Sequence, residues 1–236
     1  MLVYTIVEDL RDIRKQLRLA MNGVISTSMR QKGMNYKLIF GVPIPEIKHI
    51  AASHEPDAEL ARALWKEDVR EMKILATLLF PAGSMTQEEA LAWMREIPYP
   101  EIAEQCCNNL FPTVEQPDQL ALKFLADKKS PFGRMCGFLL WAQLFKKNLA
   151  VEKSRVEAFL AECTCTMHPD VEAGATESSW QEKQAAVQAL KFFGRLSPVN
   201  AQDALSVIAE DGQPETEELK AYYDDLQFEF AYYEEK

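Results

Sequence analysis

The sequence predicts an all-α chain, an α-α superhelix (solenoid) built of degenerate helix pairs. Three observations carry that expectation. Apolar residues recur at three- and four-residue spacing almost from end to end, as one face of a helix requires. Segments of about a dozen residues are joined by very short connections, the pattern of antiparallel helix pairs. Strand signals are nearly absent, and glycine supplies only 9 of 236 residues, too few for a turn-dense β fold. No exact repeat period is visible, so any repeats are degenerate. A globular helix bundle would leave the same periodicity, and the pattern alone leaves both open.

The first segment sets Val3, Ile6, Val7, Leu10, Ile13 and Leu17 on one apolar face, while Arg11, Arg14, Lys15 and Arg18 share another as a basic stripe. Met34 to Pro45 holds a glycine and two prolines, which end one helix and start the next. Helices are expected over about 57–66, 68–79, 86–95 and 99–111, with Asp57, Asp68 and Thr86 as N-caps. Glu89 follows Thr86 at capping-box spacing. Further helices fit about 117–127, 132–147, 151–163, 178–195, 199–210 and 214–230, with the longest break near 166–177. The whole is expected to be one domain, 1–236, with 199–236 an acidic segment that caps the last helix pair.

The net charge of −10 is unevenly placed. From Val199 onward there are eleven acids against Lys220 and Lys236, so the preceding body is nearly neutral. Such a body can carry a local basic strip for phosphate. Five cysteines form no disulfide framework. Cys163, Cys165 and His168 have a metal flavour but no second cluster, so no metal is expected. No apolar run approaches the roughly 20 residues of a membrane helix, and the apolar start has no basic leader. The expectation is a cytoplasmic protein with no membrane partner.

Three stretches carry a specific resemblance: Phe40-Gly-Val-Pro-Ile-Pro-Glu-Ile-Lys-His-Ile-Ala51, Glu59-Leu-Ala-Arg-Ala-Leu-Trp65 and Val69-Arg-Glu-Met-Lys-Ile-Leu-Ala76. Their order and spacing resemble the DNA alkylation repair protein family, the HEAT-like-repeat glycosylases that remove alkylated purines. The likeness runs more loosely to about Pro198. It implies HEAT-like helix pairs, a double-stranded DNA partner held through its backbone, and no cofactor.

Cutting the glycosidic bond of a cationic alkylpurine builds positive charge on the sugar. A carboxylate stabilises that state and orients water, aromatic faces attract the cationic base, and lysines and arginines hold phosphates. The resemblance implies Glu104 where the family has its catalytic aspartate, with Tyr99 or Pro100 in the place of a tryptophan. It further implies Arg134, in Phe132-Gly-Arg-Met-Cys136, as a phosphate ligand, and Lys191 at a family arginine. Gln188 falls where the family has a second lesion-facing tryptophan, and about Ser28 where it has a tyrosine. Lys128 and Lys129 add a further cationic cluster. At helical spacing among leucines and alanines, Trp65, Trp93 and Trp141 belong to the core, whereas Trp180 follows a polar loop and could face a groove. Three functions stay open: an alkylpurine glycosylase using Glu104, a non-catalytic binder of distorted or branched DNA, and a protein-interaction solenoid whose acidic tail meets a protein partner.

Overall fold

The computed structural model describes residues 2–169, 178–209 and 212–234, with side chains between residues 6 and 233 of those ranges. Most of the long break expected near 166–177 therefore lies outside the described residues, as do the side chain of Val3 and residue 210 at the end of the expected helix 199–210. Thirteen α-helices and one 3₁₀ turn account for the regular structure among the described residues. The sole β-type pairing among them is an isolated parallel bridge between Leu38 and Val69. The chain divides into two compact units, Met1–Ala90 with Pro98–Glu115, and Leu91–Ile97 with Gln116–Lys236.

In the first unit lie α1 (Leu2–Leu19), α2 (Gly23–Gln31), α3 (Ile44–Ala52), α4 (Ala58–Trp65) and α5 (Arg70–Leu79). Next, α6 (Gln87–Arg95) divides between the units at Ala90, and α7 (Pro100–Asn109) returns to the first. Ile13 and Leu17 of α1 are fully buried, and α1 packs on α3 and α4. Asp57 caps α4 by accepting the Leu60 amide at 2.7 Å. The capping box at Thr86 is only half made: its hydroxyl accepts the Glu89 amide, but the Glu89 carboxylate turns to Arg62 at 2.7 and 3.0 Å. Asp68 does not cap α5. Its carboxylate accepts the Lys37 amide at 2.9 Å and its carbonyl accepts the Leu38 amide, which tethers a passing strand-like segment instead.

The second unit contains α8 (Pro117–Ala126), α9 (Gly133–Lys146), α10 (Lys153–Met167), α11 (Trp180–Gly194), α12 (Pro198–Ile208) and α13 (Glu217–Glu234). α9 is buried from Met135 to Phe145, all round its circumference, because α8 and α11 both pack against it. Gly137 permits the α8 contact, since a Cβ there would lie 2.6 Å from Leu125 Cγ. Trp141, Phe145, Phe159 and Phe193 form the aromatic centre of this core, with ring centroids 5.1–5.3 Å apart in the contacting pairs Trp141–Phe145, Trp141–Phe159, Phe145–Phe159 and Phe145–Phe193.

α13 presents Leu219, Tyr222, Leu226 and Phe230 inward, an i, i+3, i+7, i+11 stripe against α11 and α12. Gly194 ends α11 under the Phe230 ring; a Cβ at this position would overlap that ring. The acidic residues of α13 meet a basic row on α11: Glu218 with Lys183 at 2.8 Å, Asp225 with Lys191 at 2.7 Å, and Glu229 with Arg195.

Hydrogen bonding from Lys183 holds the Glu218 carboxyl below the usual carboxylate range. A depressed native value means the contribution is fully present above the unfolded value of about 4.3 and is lost as pH falls through the native one. The Glu218→Gln variant is therefore expected to melt below wild type at pH 7, with the gap narrowing as pH falls below about 4 in calorimetric scans.

Candidate nucleic-acid site

The family-like motif in α5 builds an ionic cluster inside the first unit. Arg70 is 2% exposed and Glu71 fully buried. Glu71 accepts the amides of Phe40, Gly41 and Val42 at 3.1, 2.9 and 3.3 Å, and Arg70 donates to it at 3.0 Å. Arg70 also donates to the Val42 carbonyl and, in a two-pronged pair, to Glu101 of α7 at 2.6 and 2.7 Å. The turn so gripped needs glycine. Gly41 has φ +73°, and a Cβ would sit 2.3 Å from the Asn22 carbonyl oxygen and 2.7 Å from the Ser26 nitrogen. The Arg70–Glu71 part of this motif is therefore structural, and Glu101 is a clamp on Arg70 rather than a free helix acid.

Glu104 lies one turn further along α7. It is exposed and has no hydrogen-bond or ion-pair partner among the described residues. Desolvation by the surrounding protein, then the neighbouring charge of Glu101, raises its carboxyl above the ordinary value. Tyr99 is half-buried rather than an open platform: its ring lies 4.9 Å from that of Tyr36, and its hydroxyl accepts the Asn35 amide at 2.7 Å. Tyr36 itself is buried with its hydroxyl unpartnered among the described residues, and burial drives its titration far upward.

The cations expected at phosphates lie in the second unit, and Arg134 and Lys191 are already engaged. Arg134 reaches the Leu125 carbonyl at 3.3 Å, Glu162 at 2.9 Å and the Thr166 hydroxyl at 2.7 Å, with Phe138 beneath its guanidinium. Lys191 is paired to Asp225. Gln188 is exposed on α11, and Lys128 and Lys129 are exposed in the turn before α9. That turn is organised by Asp127, which accepts the Lys129 and Ser130 amides and pairs with Arg95.

Trp65, Trp93 and Trp141 are buried at 5% exposure or less, and Trp180 is 67% exposed at the start of α11. Cys163 is buried while Cys165 is exposed, and His168 approaches the Val207 carbonyl at 3.1 Å, so this run does not converge on one point. Among the described residues no group of three His, Cys, Asp or Glu is placed to hold a metal ion, and no helix is long and apolar enough to cross a membrane.

Sequence reasoning overlooked Glu101. A usable signal exists: the ion pairs Arg62–Glu89, Arg70–Glu101, Arg95–Asp127 and Arg134–Glu162 span 27, 31, 32 and 28 residues. The first three link a basic residue to an acid about two helices further on, and Arg134–Glu162 joins consecutive helices at the same sequence interval. The repeat is written in charges more clearly than in apolar residues.

Helix pairs stitched at that interval define a HEAT-like repeat protein. A solved structure, described as a new family of proteins related to the HEAT-like repeat DNA glycosylases with affinity for branched DNA structures, has the same fold. It matches with a TM-score of 0.74 and 16% identity over 94% of each chain. Residues 13–170 match the DNA alkylation repair enzyme family, and the chain belongs to that family. No curated protein matches it.

The buried network sets a stability prediction. Glu71→Ala leaves three amides without their acceptor and takes one of two carboxylates from buried Arg70, and is expected to cost about 3–5 kcal/mol, and Gly41→Ala about 2 kcal/mol or more. Urea unfolding measures both.

Proposed function

We propose that the protein works by binding DNA, with branched or distorted duplex as its target, and not by excising bases. The observation that carries this reading is the lack, among the described residues, of an open aromatic face beside Glu104. Tyr99 is packed on Tyr36 and occupied by Asn35, and three of the four tryptophans are core residues. A cationic alkylpurine would find a carboxylate there, but Tyr99 offers it no open ring face. Family membership supports a DNA-repair role, and the likeness to a protein described as having affinity for branched DNA favours that substrate class.

Base excision is the second reading, favoured by one feature: Glu104 is unpaired, partly desolvated and free to reach a sugar. One assay separates the two. Methylated duplex incubated with the protein is expected to release no 3-methyladenine or 7-methylguanine above background. Release that disappears in Glu104→Gln would restore the glycosylase. A four-way junction is expected to bind more tightly than linear duplex, weakening steeply with salt. Absence of binding even at low salt would leave a protein-interaction role.

Lys191 bears on the same binding. Asp225→Asn removes its partner, and because an ion pair this exposed is worth at most about 1 kcal/mol, DNA affinity is expected to rise by a few-fold. Titration of labelled junction with the variant measures the change.

A further inference from the structure

α1 carries a cationic face that none of the site residues above uses. Arg11, Arg14, Lys15 and Arg18 fall within about a 100° arc of the helix, turned away from buried Ile13 and Leu17. All four are exposed. Arg14 pairs with Glu67 at 2.7 Å, whereas Arg11, Lys15 and Arg18 have no ion pair among the described residues. Of the acids on the helix, exposed Glu8 stands at one edge of this face, a turn before Arg11, with no ion pair among the described residues, and the other two are engaged elsewhere. Asp12 takes the Gln16 amide at 2.7 Å and, with Asp9, flanks His54.

Two further facts single this face out. Residues 1–37 hold seven basic and three acidic side chains, a net +4 within a chain of −10. Leu19 borders the stripe and Met21 and Val24 follow it in the chain, all standing in solvent at 80%, 58% and 82% exposure. Leu19 and the four cations line a shallow recess of about 390 Å³.

We infer that this face is a second DNA-backbone site, which takes one arm of a branched duplex while Leu19, Met21 and Val24 meet unstacked bases at the branch. The inference rests on the branched-DNA reading. From Arg11 to Arg18 the helix advances about 10 Å, a length over which duplex DNA presents about six phosphates. Four cations on that length match a backbone at contact distance. Linear duplex offers the apolar trio nothing to cover, whereas a branch point exposes base faces that apolar wedges occupy. An anionic lipid surface shares the charge chemistry. It is disfavoured because the apolar face of α1 is already spent against α3 and α4, leaving too little to insert.

The test uses the full chain, a labelled four-way junction, and linear duplex of equal length. The triple variant Arg11→Ala/Lys15→Ala/Arg18→Ala is expected to lose about tenfold or more in junction affinity and under about twofold on linear duplex. Its log–log salt dependence on the junction should be shallower by about 2 to 3, and each single variant's by about 1. Leu19→Ser/Val24→Ser is expected to weaken junction binding alone. Melting curves check that each variant folds, and the single variants stand in should the triple not fold. A triple variant that binds the junction like wild type, or loses both substrates equally, overturns the second-arm site and leaves the branched-DNA reading in place. Wild type that binds neither DNA overturns both. Capture by phosphatidylserine vesicles, abolished in the triple variant while junction binding persists, assigns the face to lipid instead.

Discussion

The first unit is organised around a carboxylate taken out of water. Glu71 is fully buried, and such a charge is tolerated only when nearly every lone pair is used. Three consecutive amides and one guanidinium use them. Because those amides belong to the turn at Gly41, and the guanidinium belongs to Arg70, one side chain fixes three things together. It holds the turn against the start of α2, it orients Arg70, and through Arg70 it sets where Glu101 and the rest of α7 stand. Glu104 and Tyr99 inherit their positions from that chain of contacts.

The arginines and lysines that join neighbouring helices are matched to acids inside each unit. Arg134 is held by Glu162 and a hydroxyl, Lys191 by Asp225 and Arg195 by Glu229, so a polyanion approaching α9 or α11 competes with partners already in place. On α1, by contrast, Arg11, Lys15 and Arg18 have no ion pair among the described residues. A scaffold of this kind separates two uses of arginine, stitching neighbouring helix pairs and meeting an external anion. The carboxylate partners of the stitching set, and their lack at Arg11, Lys15 and Arg18 among the described residues, tell them apart.

What was legible in the sequence was local. Helix positions followed the apolar spacing, the Asp57 cap was visible in its own turn, and Trp65, Trp93 and Trp141 fell in the core as their neighbours implied. What escaped was decided at a distance. Asp68 has the composition of a cap, but its carboxylate is claimed by the Lys37 amide, 31 residues earlier. Glu89 has capping-box spacing, yet Arg62 across the helix pair makes the stronger, charged partner. Tyr99 looked like an available ring until Asn35 and Tyr36 came beside it. Glu101 and Glu104 are three residues apart on one helix and identical in type. Only the arrival of Arg70 makes one a clamp and leaves the other unpaired.

The notch at Gly194 has a hereditary consequence. With the ring of Phe230 lying where any other side chain would begin, the two positions form a lock and its key, thirty-six residues apart. A lineage that enlarges one must shrink the other in the same step or lose the seat of its final helix. Substitutions at these two sites should therefore arrive as a couple, and a descendant with a bulky residue at 194 should have let its terminal helix drift or disappear.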